Sequence, residues 1–499
     1  MFINHFRAGT GVVFVETREE RSVASELLRQ LPDTADVHVC NAPNGPVYGM
    51  SLRDGEAVRD SEPRSAPAGA PALFNEYKWL TEGCGRVLLV NDLHVLVNTP
   101  GHWRQIMDHL DGIRNPRGTG GPSMIVAVGP HFDLKPENPL RGDVPVLAFE
   151  PPDRDKLRAI ANSLCALPAD EVESGRIIDA LCGLSYMAAE QTCAEVLVGH
   201  ENQWNTEALR AGRKRELQTA GLEIWPTTSD LGGLNGMHQC FTDEVIPWLR
   251  DDVLGVRRIL CAGVPGVGKS YCARYLGHLI GCEVVRLSLA SLKAGIVGQS
   301  EGNLRRALAT IDAMGKHSPL VVVLDEIDGI AEDGMDGGTS IGMFNDLLTW
   351  LEESTCQAIV IGTLNRLDNL KAQLESRFAA RFFFDLPTQI ERAAVAKIHY
   401  ERVGCEGDLD TISDITAQAT DGFSSREIAQ DIVPTVARRC NRNPDPLVIG
   451  DVCNEHCPVS KSNGEQLDMM RAAARSLRRA NSARDQVQTG GRSIGTAAE

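Results

Sequence analysis

Short apolar runs alternate with stretches of helical periodicity along almost the whole chain. In the second half, this pattern predicts strands at Arg258–Ala262, Glu283–Leu287, Leu320–Leu324, Ala358–Leu364 and Arg381–Asp385. In the first half, it predicts strands at Gly11–Glu16, Arg86–Val90, Ser123–Val128 and Val144–Phe149. Apolar strands separated by helices are typical of a parallel sheet covered by helices. The sequence therefore predicts an α/β fold with three αβα layers.

The two halves resemble each other in the order of their features. Both Arg86–Leu93 and Val321–Ile327 place two polar residues directly after an apolar strand, Asn91-Asp92 in the first and Asp325-Glu326 in the second. Further along, Gly183-Leu-Ser corresponds to Gly422-Phe-Ser. We predict a degenerate α/β domain followed by an intact copy. The alternative is that any two α/β domains share such patterns.

Length and composition limit the class of protein. A chain of 499 residues suggests several domains, and its formal charge of −17 disfavours nonspecific attraction to nucleic acid or to an anionic membrane. The 14 cysteines show no regular framework and several lie in apolar runs, as expected for buried thiols in a reducing compartment. No uninterrupted run of 18 apolar residues occurs. We expect a cytoplasmic protein without a membrane segment.

Three segments lack apolar periodicity. We expect a mobile loop at Asp54–Ala72, which is rich in Pro, Ala, Ser and Gly, and a flexible acidic loop at Ile330–Ser340. The tail beyond Arg484 has few apolar residues to bury.

The strongest chemical signal is the segment Gly263-Val264-Pro265-Gly266-Val267-Gly268-Lys269-Ser270, which follows a predicted strand and opens a predicted helix. It fits G-x-x-x-x-G-K-[ST], a pattern in which glycines let backbone N–H groups surround phosphates. Lys269 is expected to reach the β and γ phosphates, and Ser270 to ligate Mg²⁺. The site is also expected to include Tyr271, the next residue in the chain. The sequence therefore predicts that this region binds ATP with Mg²⁺.

The apolar run Leu320–Leu324 delivers two carboxylates, Asp325 and Glu326, at its carboxyl end. Asp325 is expected to hold Mg²⁺ through water, and Glu326 to orient and polarise the attacking water. An acidic strand end alone is common, but together with the phosphate loop it becomes specific.

From Asp230 to about Ile449 these residues resemble the AAA ATPase family. The resemblance implies that Leu231 and Gly232 belong to a linker whose backbone contacts adenine, and that His399 lies near the adenine and ribose. It also implies that Asn365 senses the γ-phosphate.

Hydrolysis in this family needs an arginine from the neighbouring subunit to stabilise charge on the transferred phosphoryl group. The sequence has Arg377 as the candidate, with Arg381 in reserve, while Leu374 stands where many members carry a first arginine. That departure puts the rate of hydrolysis in doubt, but not nucleotide binding. In the lid segment, Arg426 falls where some ATPases of the wider superfamily place an arginine that contacts the γ-phosphate in cis.

The segment Lys293–Arg305 resembles the AAA pore loop, which grips an extended polypeptide in the channel of a hexamer. Its gripping residues would be Ile296, Val297 and Gly298, with Ile296 where the family has an aromatic residue. Apolar grip by isoleucine is weaker because a ring offers more contact area. The alternative is an ordinary strand-to-helix connection.

The whole layout resembles AAA proteins of cyanobacteria and algal plastids, which join an AAA-like domain without a nucleotide site to one active module. We expect a degenerate domain at 1–205, a linker at 206–229, an ATPase core at 230–387, a helical lid at 388–457 and a C-terminal helix and tail at 458–499.

The leading hypothesis is an ATP-hydrolysing homo-hexamer that remodels an unidentified protein partner, with nucleotide between Lys269 of one subunit and Arg377 of the next. The alternative is a nucleotide-dependent scaffold or switch with little hydrolysis. A nucleic-acid-acting ATPase is supported only by the arginines at 471–484, for which a solvated helix is the simpler interpretation. A metal site at Cys453, His456 and Cys457 would have unusual spacing.

Overall fold

The computed structural model describes residues 2–42, 45–53, 55–64, 70–116, 122–130, 132, 134, 138–249, 251, 253–289, 292, 299–316, 319–328, 339–354, 356–366 and 372–481. Contacts within the chain define two compact units. The first comprises residues 1–220 and 292–313, and the second comprises residues 221–291 and 314–499.

The first unit contains one sheet and two groups of helices. Its strands are β1 (Val12–Glu16), β2 (Asp36–Asn41), β3 (Tyr48–Arg53), β4 (Glu56–Arg59), β5 (Arg86–Asn91), β6 (Met124–Gly129) and β7 (Val146–Ala148). Its helices are α1 (Phe2–Arg7), α2 (Glu20–Gln30), α3 (Ala70–Glu82), α4 (Pro100–Arg114), α5 (Arg154–Leu164), α6 (Glu171–Asp179), α7 (Tyr186–Gly199) and α8 (Thr206–Thr219), with a 3₁₀ turn at Leu93–Val95.

The second unit has strands β8 (Leu222–Trp225), β9 (Arg258–Gly263), β10 (Glu283–Ser288), β11 (Leu320–Asp325), β12 (Ala358–Leu364), β13 (Ala380–Phe384) and β14 (Arg478–Arg479). Helices α9 (Asn235–Gln239), α10 (Lys269–Ile280), α12 (Thr339–Glu353) and α13 (Ala372–Glu375) accompany them, whereas α11 (Gln299–Gly315) lies mostly in the first unit. The lid and C-terminal helices are α14 (Gln389–Arg402), α15 (Leu409–Ala419), α16 (Ser425–Glu427), α17 (Val433–Arg439), α18 (Pro446–Glu455), α19 (Val459–Ser462) and α20 (Gly464–Ala473). Single π-helical stretches lie at Cys240–Val245 and Ile428–Ile432, and a 3₁₀ turn lies at Ala474–Ser476.

The parallel strands of the two sheets follow the same order. Within the described residues the first runs β4-β3-β2-β5-β6-β1-β7 and the second runs β14-β13-β9-β12-β11-β10-β8. The shared part is a row of five parallel strands, β2-β5-β6-β1-β7 in the first unit and β10-β11-β12-β9-β13 in the second. In both rows, the strand that comes first in the chain lies between the fourth and the fifth. The fold prediction of two α/β domains with parallel sheets is therefore confirmed.

Burial of nearly every side chain explains why the central strands appear as continuous apolar runs. All six residues of β6 and all seven of β12 are buried, as expected for strands covered by helices on both faces. Each unit also has a helical cluster with a core of its own, built around Leu157, Ile177 and Leu181 in the first and around Tyr400, Ile432 and Val436 in the second.

Two sequence predictions need correction. Within Asp54–Ala72, predicted as a loop, residues Glu56–Arg59 form β4 and pair antiparallel with β3, and α3 begins at Ala70. This edge strand has no buried residue, so it lacks the apolar signal on which the prediction depended.

The C-terminal arginines are not simply a solvated face. Arg471 donates to both carboxylate oxygens of Asp385 at 2.8–3.1 Å, and Arg478 pairs with Glu244 while β14 extends the sheet beside β13. These two arginines are therefore used inside the second unit, which leaves the nucleic-acid hypothesis with less support.

The segment 206–229, predicted as a linker, contains α8 and the edge strand β8. Three predicted features lie outside the described residues. They are the residues predicted to grip a partner (Ile296, Val297 and Gly298), most of the acidic loop 330–340 and the tail beyond Arg484.

Candidate functional site

The loop between β9 and α10 has a backbone that requires glycine. Gly266 and Gly268 have φ of +83° and +97°, in the left-handed region that L side chains rarely adopt. A Cβ on Gly263 would lie 2.2 Å from the carbonyl oxygen of Phe384 on the adjacent strand. The glycines thus let the loop turn tightly against the sheet and open α10. Backbone N–H groups at such a helix start favour bound anions.

Lys269 lies inside this loop with 7% of its surface exposed. Its Nζ donates to the carbonyl oxygens of Gly263 and Val264 at 2.7 and 2.8 Å, and to Asn365 Oδ1 at 3.0 Å. Burial lowers the pKa of Lys269 to about 8 because the charged ammonium loses hydration, although nearby carboxylates partly oppose this effect. The ammonium is therefore held at the loop and remains mostly protonated at neutral pH.

Two carboxylates lie at the carboxyl end of β11, beside the loop. Asp325 Oδ1 accepts from Ser270 Oγ at 3.1 Å, and Glu326 Oε1 accepts from Asn365 Nδ2 at 3.2 Å. Glu326 has φ of +53°, which turns the chain sharply at the strand end. Asn365 therefore connects Lys269 with Glu326.

The hydroxyl of Ser270 and the carboxylate of Asp325 form a hard oxygen donor pair of the kind that Mg²⁺ accepts, with the remaining ligands left to water and phosphate. Across the described part of the chain, no three His, Cys, Asp or Glu side chains group around a metal position. The residues present fit a magnesium ion that is bound together with a phosphate ligand rather than one held in a protein cage.

A cleft of about 410 Å³ opens over the loop and contains most of the sequence-predicted residues. It is lined by Leu231, Gly232, Leu234, Pro265, Gly266, Val267, Gly268, Lys269, Ser270, Tyr271, Arg274, Asp325, Glu326, Thr363, Asn365, Val395, Ile398, His399, Arg402, Ser425, Arg426, Ala429 and Gln430. Gly263 and Val264 contribute to the site through the carbonyl oxygens that hold Lys269. The cleft is large enough for a nucleotide-sized ligand.

One end of the cleft is lined by His399 and by the apolar side chains of Val395 and Ile398 on the same helix. Burial is the main cause that lowers the pKa of His399, and the nearby Arg402 guanidinium lowers it further. The imidazole is therefore neutral at pH 7. Arg402 donates to the Tyr271 hydroxyl at 3.2 Å and lies 3.6 Å from Asp230. This end offers a flat neutral ring and apolar side chains, which suit a nucleobase.

The lid reaches the phosphate loop through the start of α16. The backbone N–H of Arg426 donates to the Gly266 carbonyl at 2.9 Å, and its side chain lines the cleft. Ser424 and Glu427 form a capping box that fixes this helix start. Arg426 thus lies beside the loop between β9 and α10, close enough for its charge to add to the lowering of the pKa of Lys269.

The two candidate finger arginines lie away from this cleft. Arg377 Nη2 pairs with Glu352 Oε2 at 2.6 Å, and Arg381 pairs with Glu375. Leu374, which occupies the position of the first family arginine, is completely buried. The structure therefore brings neither arginine to the nucleotide cleft of its own second unit.

In the described residues of the first unit, the end of β1 is arranged differently from the end of β9. Strand β1 ends at Glu16, and only three residues separate it from α2. Glu16, 1% exposed, accepts from the Phe132 N–H at 2.9 Å and from Arg305 Nε at 3.1 Å. Glu19 accepts from two backbone N–H groups at the start of α7 at 3.2 and 2.7 Å. Two carboxylates thus lie at and just after the end of β1, where the second unit has the loop between β9 and α10.

Sequence reasoning missed several residues of the cleft, among them Thr363, Arg402 and Gln430. The strand Ala358–Leu364 carries a single polar side chain, Thr363, and it is 2% exposed. An isolated polar residue in a buried strand is a signal that could have drawn attention to it.

Comparisons with known proteins cover much of the chain. Residues 259–386 match the family model described as ATPase family associated with various cellular activities, AAA. An AAA domain-containing protein, ycf46, of Guillardia theta is 26% identical over 389 residues, covering 74% of each chain. The ycf46 protein of Pyropia yezoensis is 28% identical over 282 residues, covering 52% of this chain and 56% of its own.

Other similarities cover about half of the chain. The human outer mitochondrial transmembrane helix translocase is 26% identical over 223 residues, covering 42% of this chain and 60% of its own. The crystal structure of the FIGL-1 AAA domain superposes with a TM-score of 0.45 at 20% identity, covering 52% of this chain and 94% of that domain. Within the ranges that the structure describes, no helix is both long and apolar enough to cross a bilayer.

Proposed function

Because residues 259–386 form an AAA family domain, we propose that the protein binds ATP with Mg²⁺ in the cleft over the phosphate loop and hydrolyses it. The observation that carries the proposal is the continuous set of hydrogen bonds from Lys269 through Asn365 to Glu326. It places a cation, a neutral amide and a carboxylate side by side at the end of the cleft lined by the loop.

The residues divide the work of phosphoryl transfer. Lys269 and the loop N–H groups bind the phosphates, and Asn365 holds the ammonium and the carboxylate in register. Glu326 accepts a hydrogen bond from the attacking water and orients it toward the γ-phosphate. Ser270 and Asp325 would hold Mg²⁺, which supplies electrostatic neutralisation of the phosphates when bound.

The charge that develops during transfer requires a further cation, and we assign this role to Arg377 of a neighbouring subunit. Its side chain is 32% exposed and pairs with the exposed carboxylate of Glu352, from which it can be withdrawn at small cost. Hydrolysis then depends on assembly, most simply as a closed ring of six subunits.

The work done by the assembly is the remodelling of a protein partner. Support comes from similarity to the outer mitochondrial transmembrane helix translocase, whose name assigns it a polypeptide substrate. Ile296, Val297 and Gly298 would grip the partner, with isoleucine in place of a ring.

A second function is favoured by the arginine positions. Leu374 is buried in the core and cannot act on a neighbouring site, so only Arg377 or Arg381 remains to stabilise the transferred phosphoryl group. With a slow chemical step the protein would act as a scaffold or switch that assembles when ATP binds.

One experiment separates the two functions. Steady-state ATP hydrolysis is measured against protein concentration while mass photometry reports assembly in ATP. The motor predicts specific activity that rises as subunits assemble, whereas the scaffold predicts assembly with almost no turnover. Absence of both nucleotide binding and assembly would contradict both functions.

A further inference from the structure

The Asp325 carboxylate is held at both of its oxygens by side chains outside the phosphate loop. Oδ1 accepts from Thr363 Oγ1 at 2.7 Å, in addition to Ser270 Oγ at 3.1 Å. Oδ2 accepts from Arg286 Nη2 at 2.9 Å. Since two directions fix the plane of a carboxylate, Asp325 has one defined orientation before any ligand arrives.

Thr363 reaches both acidic residues with a single hydroxyl. While Oγ1 donates to Asp325, it accepts from the backbone N–H of Glu326 at 3.0 Å. That N–H belongs to a residue with φ of +53°, a conformation that needs support from its surroundings. A hydroxyl can donate and accept together, so serine can replace threonine here and valine cannot.

Arg286 approaches Asp325 from the neighbouring strand and is itself held in place. It lies on β10, which pairs with β11 so that Ser288 is opposite Asp325. Its guanidinium lies 5.3 Å from the ring centre of Trp225, and Nη1 is 3.5 Å from Glu223 Oε2. Both contacts come from the edge strand β8. This strand therefore helps to aim the arginine at the carboxylate.

We propose that Thr363 and Arg286 are positioning residues that orient Asp325, and through it Glu326, for magnesium-dependent phosphoryl transfer. The proposal rests on the proposed ATPase function. Neither side chain needs to touch nucleotide for this role. Their effect is to keep Asp325 Oδ1 beside the Ser270 hydroxyl, so the donor pair for Mg²⁺ is preorganised.

The first test compares Thr363→Val with Thr363→Ser. The readouts are kcat, KM for ATP, the Mg²⁺ concentration that gives half-maximal rate, and the affinity for a fluorescent ADP analogue with Mg²⁺ and with EDTA. Thr363→Val is expected to lower kcat about 10-fold or more and to raise the Mg²⁺ concentration for half-maximal rate by a similar factor. Its affinity for the ADP analogue in EDTA is expected to stay within about 2-fold of the wild-type value. Thr363→Ser is expected to restore most of the activity.

The matched control is Thr310→Val. Thr310 is also buried, but its hydroxyl donates only to the Arg306 carbonyl one helical turn earlier, so the same substitution is expected to leave the Mg²⁺ dependence unchanged. Loss of EDTA affinity in Thr363→Val equal to the loss in kcat would show a merely structural role and overturn the proposal.

The second test uses Arg286, whose side chain is 31% exposed, so its replacement disturbs packing less than replacement of a fully buried residue. Arg286→Met is expected to raise the Mg²⁺ requirement several-fold and Arg286→Lys to restore part of it. Arg439→Met, which breaks a surface pair with Glu455, serves as the control. Unchanged Mg²⁺ dependence in Arg286→Met would overturn the role of Arg286, even if Thr363→Val failed to fold.

The proposed function and this inference fail in different ways. If the wild-type protein binds no nucleotide, the ATPase proposal is wrong. If the wild-type protein hydrolyses ATP and both substitutions leave kcat and Mg²⁺ dependence unchanged, the positioning role alone is wrong.

Discussion

Asn365 accepts a hydrogen bond from Lys269 through Oδ1 at 3.0 Å. Its amide nitrogen donates to Glu326 at 3.2 Å, so the cation and the carboxylate together fix which way the amide faces. The Lys269 ammonium and the Glu326 carboxylate are therefore linked through one side chain.

Removing this link should affect the chemical step more than binding. Asn365→Ala is expected to lower kcat about 10- to 100-fold, because Glu326 loses a donor that orients it, while nucleotide affinity changes less than about 3-fold. Single-turnover hydrolysis and equilibrium binding measure the two quantities. Asn454→Ala, on an exposed helix position, is the control. Equal losses in affinity and rate would contradict the assignment.

Glu326 should be essential for hydrolysis and dispensable for binding. Glu326→Gln keeps the size of the side chain but removes the carboxylate that accepts from water, so we expect turnover to fall about 100-fold or more with nucleotide still bound. The measurement is phosphate release, with Glu353→Gln on the exposed end of α12 as the control. Turnover close to wild type in Glu326→Gln would place the catalytic carboxylate elsewhere.

Nucleotide binding should take up a proton at alkaline pH. In the free protein the pKa of Lys269 is about 8, and the phosphates favour the ammonium, so binding raises this pKa. Between the pKa values of free and nucleotide-bound Lys269, affinity falls as pH rises. Each bound nucleotide then takes up about a quarter of a proton at pH 7.5 and about nine-tenths of a proton at pH 9. Calorimetry of ADP binding in buffers of different ionisation enthalpy measures the uptake.

The surface variant Lys397→Met should show the same profile, because that lysine pairs with Asp410 outside the cleft. Proton uptake that stays near zero from pH 7.5 to 9 would contradict the low pKa of Lys269.

The first unit should bind no nucleotide. Glu16 and Glu19 place negative charge at the end of β1 and before α2, and a link of three residues stands where the second unit has the loop between β9 and α10. We expect one nucleotide per chain in native mass spectrometry and none in Lys269→Ala. A nucleotide that remains bound to Lys269→Ala would show a second site.

Much of the fold could be predicted because the central strands are buried on both faces. Ala358–Leu364 was predicted with its observed bounds, and the bounds of the other eight predicted strands differ by at most two residues at either end. Five of the described strands were missed: the interior strands β2 and β3, and the edge strands β4, β8 and β14. Among the edge strands, β4 is exposed and β14 has only two residues, so neither carries an apolar run that distinguishes it from a loop.

The site was predictable where a motif fixes the chemistry and hidden where contacts cross the sheet. Lys269 and Asp325 stand in recognisable segments, whereas Arg286 and Thr363 lie 39 and 38 positions from Asp325 in the sequence. Only the strand order brings them to one carboxylate. The pairing of Arg377 with Glu352 is likewise a property of the folded chain.

The most direct test of the shared ATP site is the mixing of two inactive variants. Glu326→Gln subunits keep Arg377, and Arg377→Ala subunits keep Glu326. A mixed ring therefore contains a complete site wherever an Arg377→Ala subunit binds the nucleotide and the neighbour that supplies the arginine is a Glu326→Gln subunit. An equal mixture is expected to recover about one quarter of wild-type hydrolysis, since each site draws its two parts independently. A mixture no more active than either variant alone, in rings shown by mass photometry to contain both, would contradict hydrolysis at a site shared between subunits.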